Sequence, residues 1–122
     1  FPMSMIFYGS DGAEQEPKYV KYFEESDLIA GDFLFMRKYM PKSLAGKTVV
    51  TNTTTEENIA LLKERGVKTV ITTTPRYDGR SFGTNTTEAM LTAYADKGRR
   101  LTDEELNGLI DELGLKPSVI SL

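Results

Sequence analysis

The sequence predicts an α/β domain in which helices flank an open β-sheet, and three observations support this fold class. Short runs rich in β-branched residues alternate with amphipathic segments that carry helix-capping signals. The runs are apolar nearly throughout, as in strands that helices cover on both faces. The chain has 122 residues, 39% hydrophobic and 27% charged, which fits one globular domain. Alternating strands and helices form βαβ units, so the sheet is expected to be parallel.

The first elements are predicted between Pro17 and Pro41. Pro17 suits the first turn of a helix, because its missing N–H would have no intrahelical partner there. The apolar run Leu28–Gly31 predicts a buried strand. Asp32 is placed to cap the next helix, and Pro41 is placed to end it.

A second strand and helix follow. The β-branched run Lys47–Thr51 predicts the strand. Thr53 or Thr54 is expected to cap the helix, because each lies three residues before a glutamate, the spacing of a capping box. Gly66 is placed to end this helix.

The last third of the chain predicts a strand, two helices and a further strand. Thr69–Thr73 reads as the third parallel strand. Asn85 and Thr102 each lie three residues before a glutamate, so each is expected to cap a helix. The final segment, PSVISL, predicts an edge strand.

Together these elements predict a small, open, doubly wound, Rossmann-like domain of three layers, with a mostly parallel sheet of three to four strands. We expect this domain to span residues 17–122. Residues 1–16, apolar and then glycine-rich and acidic, are expected to be a linker or the remnant of a preceding domain. The exposed edge of a parallel sheet tends to pair. The expected partner is the missing N-terminal half of a parent protein or, in a homo-oligomer, a second copy of the chain.

Composition excludes several classes of function. A net charge of -3 and a pI of about 5.0 argue against a nucleic-acid partner, which requires a basic surface. No apolar run is long enough to span a bilayer, and no secretory signal is visible, so a cytoplasmic protein is expected. The chain contains no cysteine and no histidine, so we expect no metal site, and any acid–base chemistry must use other side chains.

The candidate site lies in the loops that follow the predicted strands, above all in TTTPRYDGRSFGTNTTEA, which runs from Thr72 to Ala89. In a parallel sheet these loops share one edge, and ligands bind there. Hydroxyl groups, two arginines and a helix N-terminus together suit the phosphate or carboxylate of a nucleotide or sugar acid. The expected site residues are Asp32, Asn52, Thr53, Thr54, Thr73, Thr74, Arg76, Arg80, Ser81, Gly83 and Asn85.

A simpler interpretation remains open at this point. Threonine and asparagine are common helix caps, and a solvated loop can carry two arginines without binding anything. Asp32 can likewise serve as a cap alone.

Four strings carry a resemblance to a known family: LIAGDFLFMRKYMP, LAGKTVVTNTTTEEN, LLKERGVKTVITTTP and GRSFGTN. They resemble the C-terminal part of a bacterial family known as quinate/shikimate 5-dehydrogenase-like, over most of the chain from about Pro17. The resemblance implies an oxidoreductase that uses NAD or NADP to oxidise a cyclic polyol acid. Shikimate dehydrogenases use a Lys–Asp pair and a glycine-rich dinucleotide loop, and neither motif can be placed in this chain.

Two functions therefore remain. In the first, the chain is the C-terminal α/β domain of a dehydrogenase-like oxidoreductase and contributes an anion- or nucleotide-binding rim at the carboxyl ends of its strands. NAD or NADP would then bind in the full-length protein, and the fragment alone would be inactive. In the second, it is a non-catalytic ligand-binding or assembly module to which the dehydrogenase name does not apply.

Overall fold

The computed structural model describes residues 17–122, and the predicted linker at residues 1–16 lies outside them. The helices are α1 Pro17–Glu25, α2 Phe33–Tyr39, α3 Glu56–Glu64, α4 Thr84–Ala95 and α5 Asp103–Leu113. The strands are β1 Leu28–Ala30, β2 Thr48–Thr51, β3 Thr69–Thr72, β4 Arg76–Tyr77, β5 Arg80–Ser81 and β6 Ser118–Ser121. None of the helices within this range is long and apolar enough to cross a membrane.

The main sheet has four strands in the order β1-β2-β3-β6. Strands β1, β2 and β3 are parallel neighbours, with Val49 opposite Ile29 and Val70. The predicted fold class is confirmed: the domain is α/β, with an open, mostly parallel, Rossmann-like sheet. Strands β1 and β3 end one residue earlier than the sequence predicts, and β2 begins one residue later.

The predicted edge strand at the C-terminus also exists, and it is antiparallel. In β6, Ser118 lies opposite Thr72, the last residue of β3. Two consecutive helices, α4 and α5, separate these strands and contact each other. They return the chain to the edge of the sheet that β3 reaches, so β6 must run back along β3. The carboxyl edge of β3 is therefore also the start of β6.

The core covers one face of the sheet. On this face Val49 and Val70 are fully buried. The helices and loops that pack on them contribute the other buried residues of the cluster: Phe33, Met36, Met40, Leu44, Leu62 and Val67. Alternation along β2 and β3 buries every second side chain on this face of the sheet.

The opposite face of the sheet is apolar but open. Its outer strands carry Leu28, which is 55% exposed, and Val119, which is 67% exposed. On the inner strands Val50 and Ile71 are half-buried. Within residues 17–122 this face has no fully buried side chain. The pairing partner expected from the sequence, an N-terminal half or a second copy, stays a prediction.

Helix α3 is not capped where the sequence predicts, and the prediction of Thr53 or Thr54 is wrong. Thr55 is the cap: its hydroxyl accepts from the N–H of Asn58, whose side chain accepts from the N–H of Thr55. The spacing rule requires a glutamate at the third helical position, but an asparagine amide performs the same exchange. Thr54 is unsuitable because its hydroxyl is buried against Ser81.

Of the other three predicted helix caps, two are confirmed and one is wrong. Asp32 caps α2, as predicted. Thr102 and Glu105 form the predicted capping box of α5. The prediction that Asn85 caps α4 is wrong, because the helix begins earlier and its N-cap is Gly83, which offers no side chain. Asn85 therefore lies inside the first turn.

Two cationic side chains also form ion pairs with Glu105. These ion pairs predict that the stability of the domain depends on pH. Hydrogen bonds from Arg99, Lys97 and the N–H of Thr102 hold the pKa of Glu105 far below its usual range. Because the folded pKa is depressed, the contribution is complete above the unfolded pKa of about 4.3 and declines as pH falls below it.

We expect acid unfolding curves of Glu105→Gln to fall less steeply below about pH 4 than those of the wild type. Glutamine keeps the acceptor of the capping box but does not titrate. Glu105 is half-buried but its partners Lys97 and Arg99 are exposed, so the difference should shrink at high salt. Parallel curves for the two proteins at low salt would contradict the assignment.

Candidate functional site

The loops after β1 and β2 meet at the carboxyl edge of the sheet, as the parallel topology requires. The side-chain amide of Asn52 donates to Asp32, with 3.0 Å between Nδ2 and Oδ2. Asn52 also accepts from the backbone N–H of Thr53 through Oδ1. The other carboxylate oxygen of Asp32 accepts from Leu34 at the start of α2. Asp32 and Asn52 thus fix each other, and both carboxylate oxygens of Asp32 already accept hydrogen bonds.

A β-hairpin, β4–β5, follows β3 and was not part of the sequence-based prediction. Its two-residue turn is Asp78–Gly79, with φ of 51° and 77°. Positive φ at both positions is typical of the Asp-Gly turn that favours tight hairpins. The dipeptide DG inside RYDGRS was therefore a usable signal. Arg80 therefore lies in a short paired strand of this hairpin and not in an irregular loop.

A buried hydroxyl attaches this hairpin to the loop after β2. Ser81 is fully buried, and its Oγ donates to the carbonyl of Asn52 at 2.7 Å. The same Oγ accepts from the N–H of Thr54 at 2.9 Å and lies 2.8 Å from the Thr54 hydroxyl. Since the Ser81 proton is used on Asn52, the Thr54 hydroxyl must donate to Ser81. This cluster of Asn52, Thr54 and Ser81 is called the latch below.

Arg76 serves the hairpin itself. Its Nη2 donates to the carbonyl of Gly79 at 2.6 Å, and its backbone N–H donates to the hydroxyl of Ser118. Its Nη1 is buried without a hydrogen-bond partner. The guanidinium thus crosses the turn of the hairpin. It is not among the residues that line the cavity described next.

A cavity of about 360 Å³ opens at the N-terminus of α4, and it is called the rim cavity below. Among residues 17–122, Arg80 is the only charged residue that lines it, and no carboxylate of this range does. The lining residues are Asn52, Thr53, Arg80, Phe82, Gly83, Thr84, Asn85 and Thr86. Two neighbouring loops and the first turn of one helix therefore enclose it.

The first turn of α4 presents hydrogen-bond donors to the rim cavity. The N-cap Gly83 makes no side-chain cap, so no side chain of its own accepts from the N–H groups of Thr84, Asn85 and Thr86. These N–H groups lie at the positive end of a helix of 12 residues. The backbone at Gly83 also approaches Thr53 closely, since an added Cβ would lie 3.1 Å from the Thr53 hydroxyl.

Arg80 is held beside this helix end by an aromatic ring. Its Cζ lies 5.3 Å from the centre of the Phe82 ring, which is within the range of a cation–π contact. The latch at Ser81 fixes the backbone between these two residues. The guanidinium is exposed, so its donors remain accessible to a ligand.

The structure places the predicted site residues in three groups. Those that line the rim cavity are Asn52, Thr53, Arg80, Gly83 and Asn85. Those that support it from behind are Asp32, Thr54, Thr74, Arg76 and Ser81, with Thr74 donating to the carbonyl of Phe82. Thr73 lines a different cavity. The sequence-based prediction missed Phe82, Thr84 and Thr86. The signal for them was the glycine before TNTT, an N-cap residue that has no side chain to accept from the first turn of the helix.

That different cavity lies between α4, α5 and the segment before β6, and it is called the interhelix cavity below. Its volume is about 420 Å³. Thr73 and Pro75 line it from the end of β3, and Leu115 and Pro117 from the chain before β6. Thr84 lines both cavities, so the two are neighbours. No sequence signal marked this cavity, because it depends on how two helices pack.

Across residues 17–122, no group of three or more acidic side chains could hold a metal ion.

The domain belongs to the α/β class with a Rossmann-like sheet, and its candidate site is a cavity at the carboxyl edge. The chain belongs to the DUF8754 family, a domain of unknown function whose match covers residues 1–122. No curated protein and no solved structure matches the chain.

Proposed function

We propose that this domain binds a small anionic ligand in the rim cavity, through a phosphate or carboxylate group. One observation carries the proposal: α4 begins without a side-chain cap and opens into a cavity where, within the described part of the chain, Arg80 is the only charged lining residue. Free N–H groups and the helix dipole attract an anion, and a guanidinium can bind it with two hydrogen bonds. The absence of any carboxylate from the lining supports the same charge preference.

The proposal is for binding rather than catalysis by residues 17–122. The rim cavity contains no side chain that acts as a general base at neutral pH, since its polar groups are amides, hydroxyls and one guanidinium. Asp32 adjoins it through Asn52, but both of its carboxylate oxygens accept hydrogen bonds.

A role in an oxidoreductase is supported by the family resemblance alone. In that case the domain would supply an anion-binding rim to a dehydrogenase-like parent, in which NAD or NADP would be the cofactor. The ligand would then be a nucleotide or a sugar acid such as quinate or shikimate. A cytoplasmic location fits the lack of cysteine and is proposed with it.

The proposal is tested by thermal unfolding with phosphate, AMP, NAD, NADP, quinate and shikimate. At 100 times its dissociation constant a ligand stabilises the fold by about 2.7 kcal/mol. We expect at least one anion to raise the midpoint, and Arg80→Ala to weaken its affinity about ten- to a hundredfold, because a charge-assisted contact is lost.

Lys42→Ala is the matched control, since it removes one exposed positive charge from the loop before the amino end of β2. It should respond as the wild type does. Arg76→Ala is unsuitable because that side chain supports the hairpin. If no anion raises the midpoint, or if Arg80→Ala and Lys42→Ala respond alike, the binding function is refuted.

A further inference from the structure

The interhelix cavity differs from the rim cavity in the chemistry of its walls. Much of its lining is apolar, from Pro75, Leu91, Leu106, Ile110, Leu115 and Pro117. Its volume of about 420 Å³ falls within the roughly 300–1,000 Å³ of small-molecule sites. A lining of this kind gains free energy when it covers an apolar group and excludes water.

The charges of the interhelix cavity make it a poor place for an anion. Of the described residues that line it, Lys116 is the only cation, and two carboxylates, Glu88 and Asp103, oppose it. The balance is therefore one positive against two negative charges. The rim cavity, in contrast, has Arg80 and no carboxylate. These charges favour the rim cavity for the anionic group of a ligand and the interhelix cavity for an uncharged part of the same ligand.

The two cavities adjoin at the first turn of α4, where they have one lining residue in common. Thr84 lines both, and Thr87 and Leu91 continue the lining of the interhelix cavity along the helix. The spacing from Thr84 to Leu91 covers about 10 Å at 1.5 Å per residue. A ligand whose anionic group binds at the first turn could therefore extend its remainder along this face and under α5.

We propose that the ligand of this domain is an amphipathic anion: a phosphate or carboxylate in the rim cavity, joined to an apolar ring or short chain that occupies the interhelix cavity. This inference rests on the proposed anion-binding function and specifies the class of molecule. It favours an apolar body over the polyhydroxylated body of a sugar acid, because most of the exposed surface of the cavity lining is apolar.

The test compares three probes with the same head group: inorganic phosphate, phenyl phosphate and ribose 5-phosphate, each titrated calorimetrically into the protein. We expect phenyl phosphate to bind at least about tenfold more tightly than inorganic phosphate, since burial equivalent to two methylene groups already corresponds to that factor. Ribose 5-phosphate should bind less tightly than phenyl phosphate.

Asn107→Trp tests the location of the apolar body. Asn107 is an exposed residue of α5 that lines the interhelix cavity, so a tryptophan there fills the cavity without disturbing the core. The advantage of phenyl phosphate should fall to about onefold, while inorganic phosphate should bind unchanged. Gly108→Trp is the matched control, because an added Cβ there meets open space and the residue does not line the cavity.

The outcomes separate the two proposals. Phosphate binding that requires Arg80, with no advantage for phenyl phosphate, would overturn the inference and leave the anion site intact. An advantage that survives in Asn107→Trp, or that disappears equally in Gly108→Trp, would also overturn it. If no phosphate binds at all, the proposed function fails and this inference fails with it.

Discussion

Ser81→Ala should destabilise the domain by about 3 kcal/mol, the largest stability change that we predict for a single hydroxyl. Ser81 is fully buried and makes contacts with the N–H and hydroxyl of Thr54 and with the carbonyl of Asn52. Alanine removes the oxygen that these groups share. Each buried group left without a partner costs about 1–3 kcal/mol, so three such groups at the lower end of this range account for the expected loss.

Chemical denaturation measures this loss as a lower midpoint at an unchanged slope. Ser121→Ala is the matched control: the same substitution at an exposed residue of β6 should change stability by less than about 0.5 kcal/mol. Ser81→Ala should also weaken the response to anions, because the latch holds the hairpin that carries Arg80. A loss below about 1 kcal/mol would show that water replaces the latch and that the hairpin is not rigidly attached.

Gly83→Asp should abolish anion binding without unfolding the domain. Aspartate is a favoured N-cap, and the backbone of Gly83, at φ -66° and ψ 160°, is one that an aspartate adopts readily. Its carboxylate would accept from the N–H groups of Asn85 or Thr86 and so occupy the position proposed for the ligand. The Thr53 hydroxyl must shift by a few tenths of an ångström to admit the new Cβ, which lies 3.1 Å away.

We expect the unligated Gly83→Asp variant to be as stable as the wild type, or more stable by a few tenths of a kcal/mol. Its midpoint should not rise with any anion that stabilises the wild type. Gly83→Ala is the control, because it adds the same Cβ without a carboxylate and should still bind. An aspartate variant that binds as well as the alanine variant would show that the anion does not use the first turn of α4.

Much of the fold could be predicted from the sequence because its signals are local. The runs LIAG, KTVVT and TVITT each combine β-branched or apolar residues with flanking turn chemistry, and all three form parallel strands. The antiparallel direction of β6 could not be predicted, because it depends on two helices that return the chain to the edge it left. The open second face of the sheet could not be predicted either, because apolar strands indicate helices on both faces of a sheet.

The site was predictable as a place but not as a set of contacts. Parallel topology brings the loops after β2 and β3 to one edge, and Asn52 and Arg80 from these loops line the same cavity. The division of labour between the two arginines was not predictable. It follows from a hairpin whose turn carbonyl, at Gly79, accepts a hydrogen bond from Arg76, while Arg80 lies against Phe82. Cap positions shifted by one or two residues because tertiary contacts, such as that of Thr54 with Ser81, compete with local capping.

The most direct test of the central claim is a phosphate titration of ¹⁵N-labelled protein, followed residue by residue through the backbone amide resonances. Helices α3 and α5 provide internal controls, because Thr55 and Thr102 already cap them. We predict saturable shifts for Thr84, Asn85 and Thr86, with smaller shifts at the first turns of the other two helices. Shifts of equal size at all three helix N-termini, or none at the start of α4, would contradict an anion site in the rim cavity.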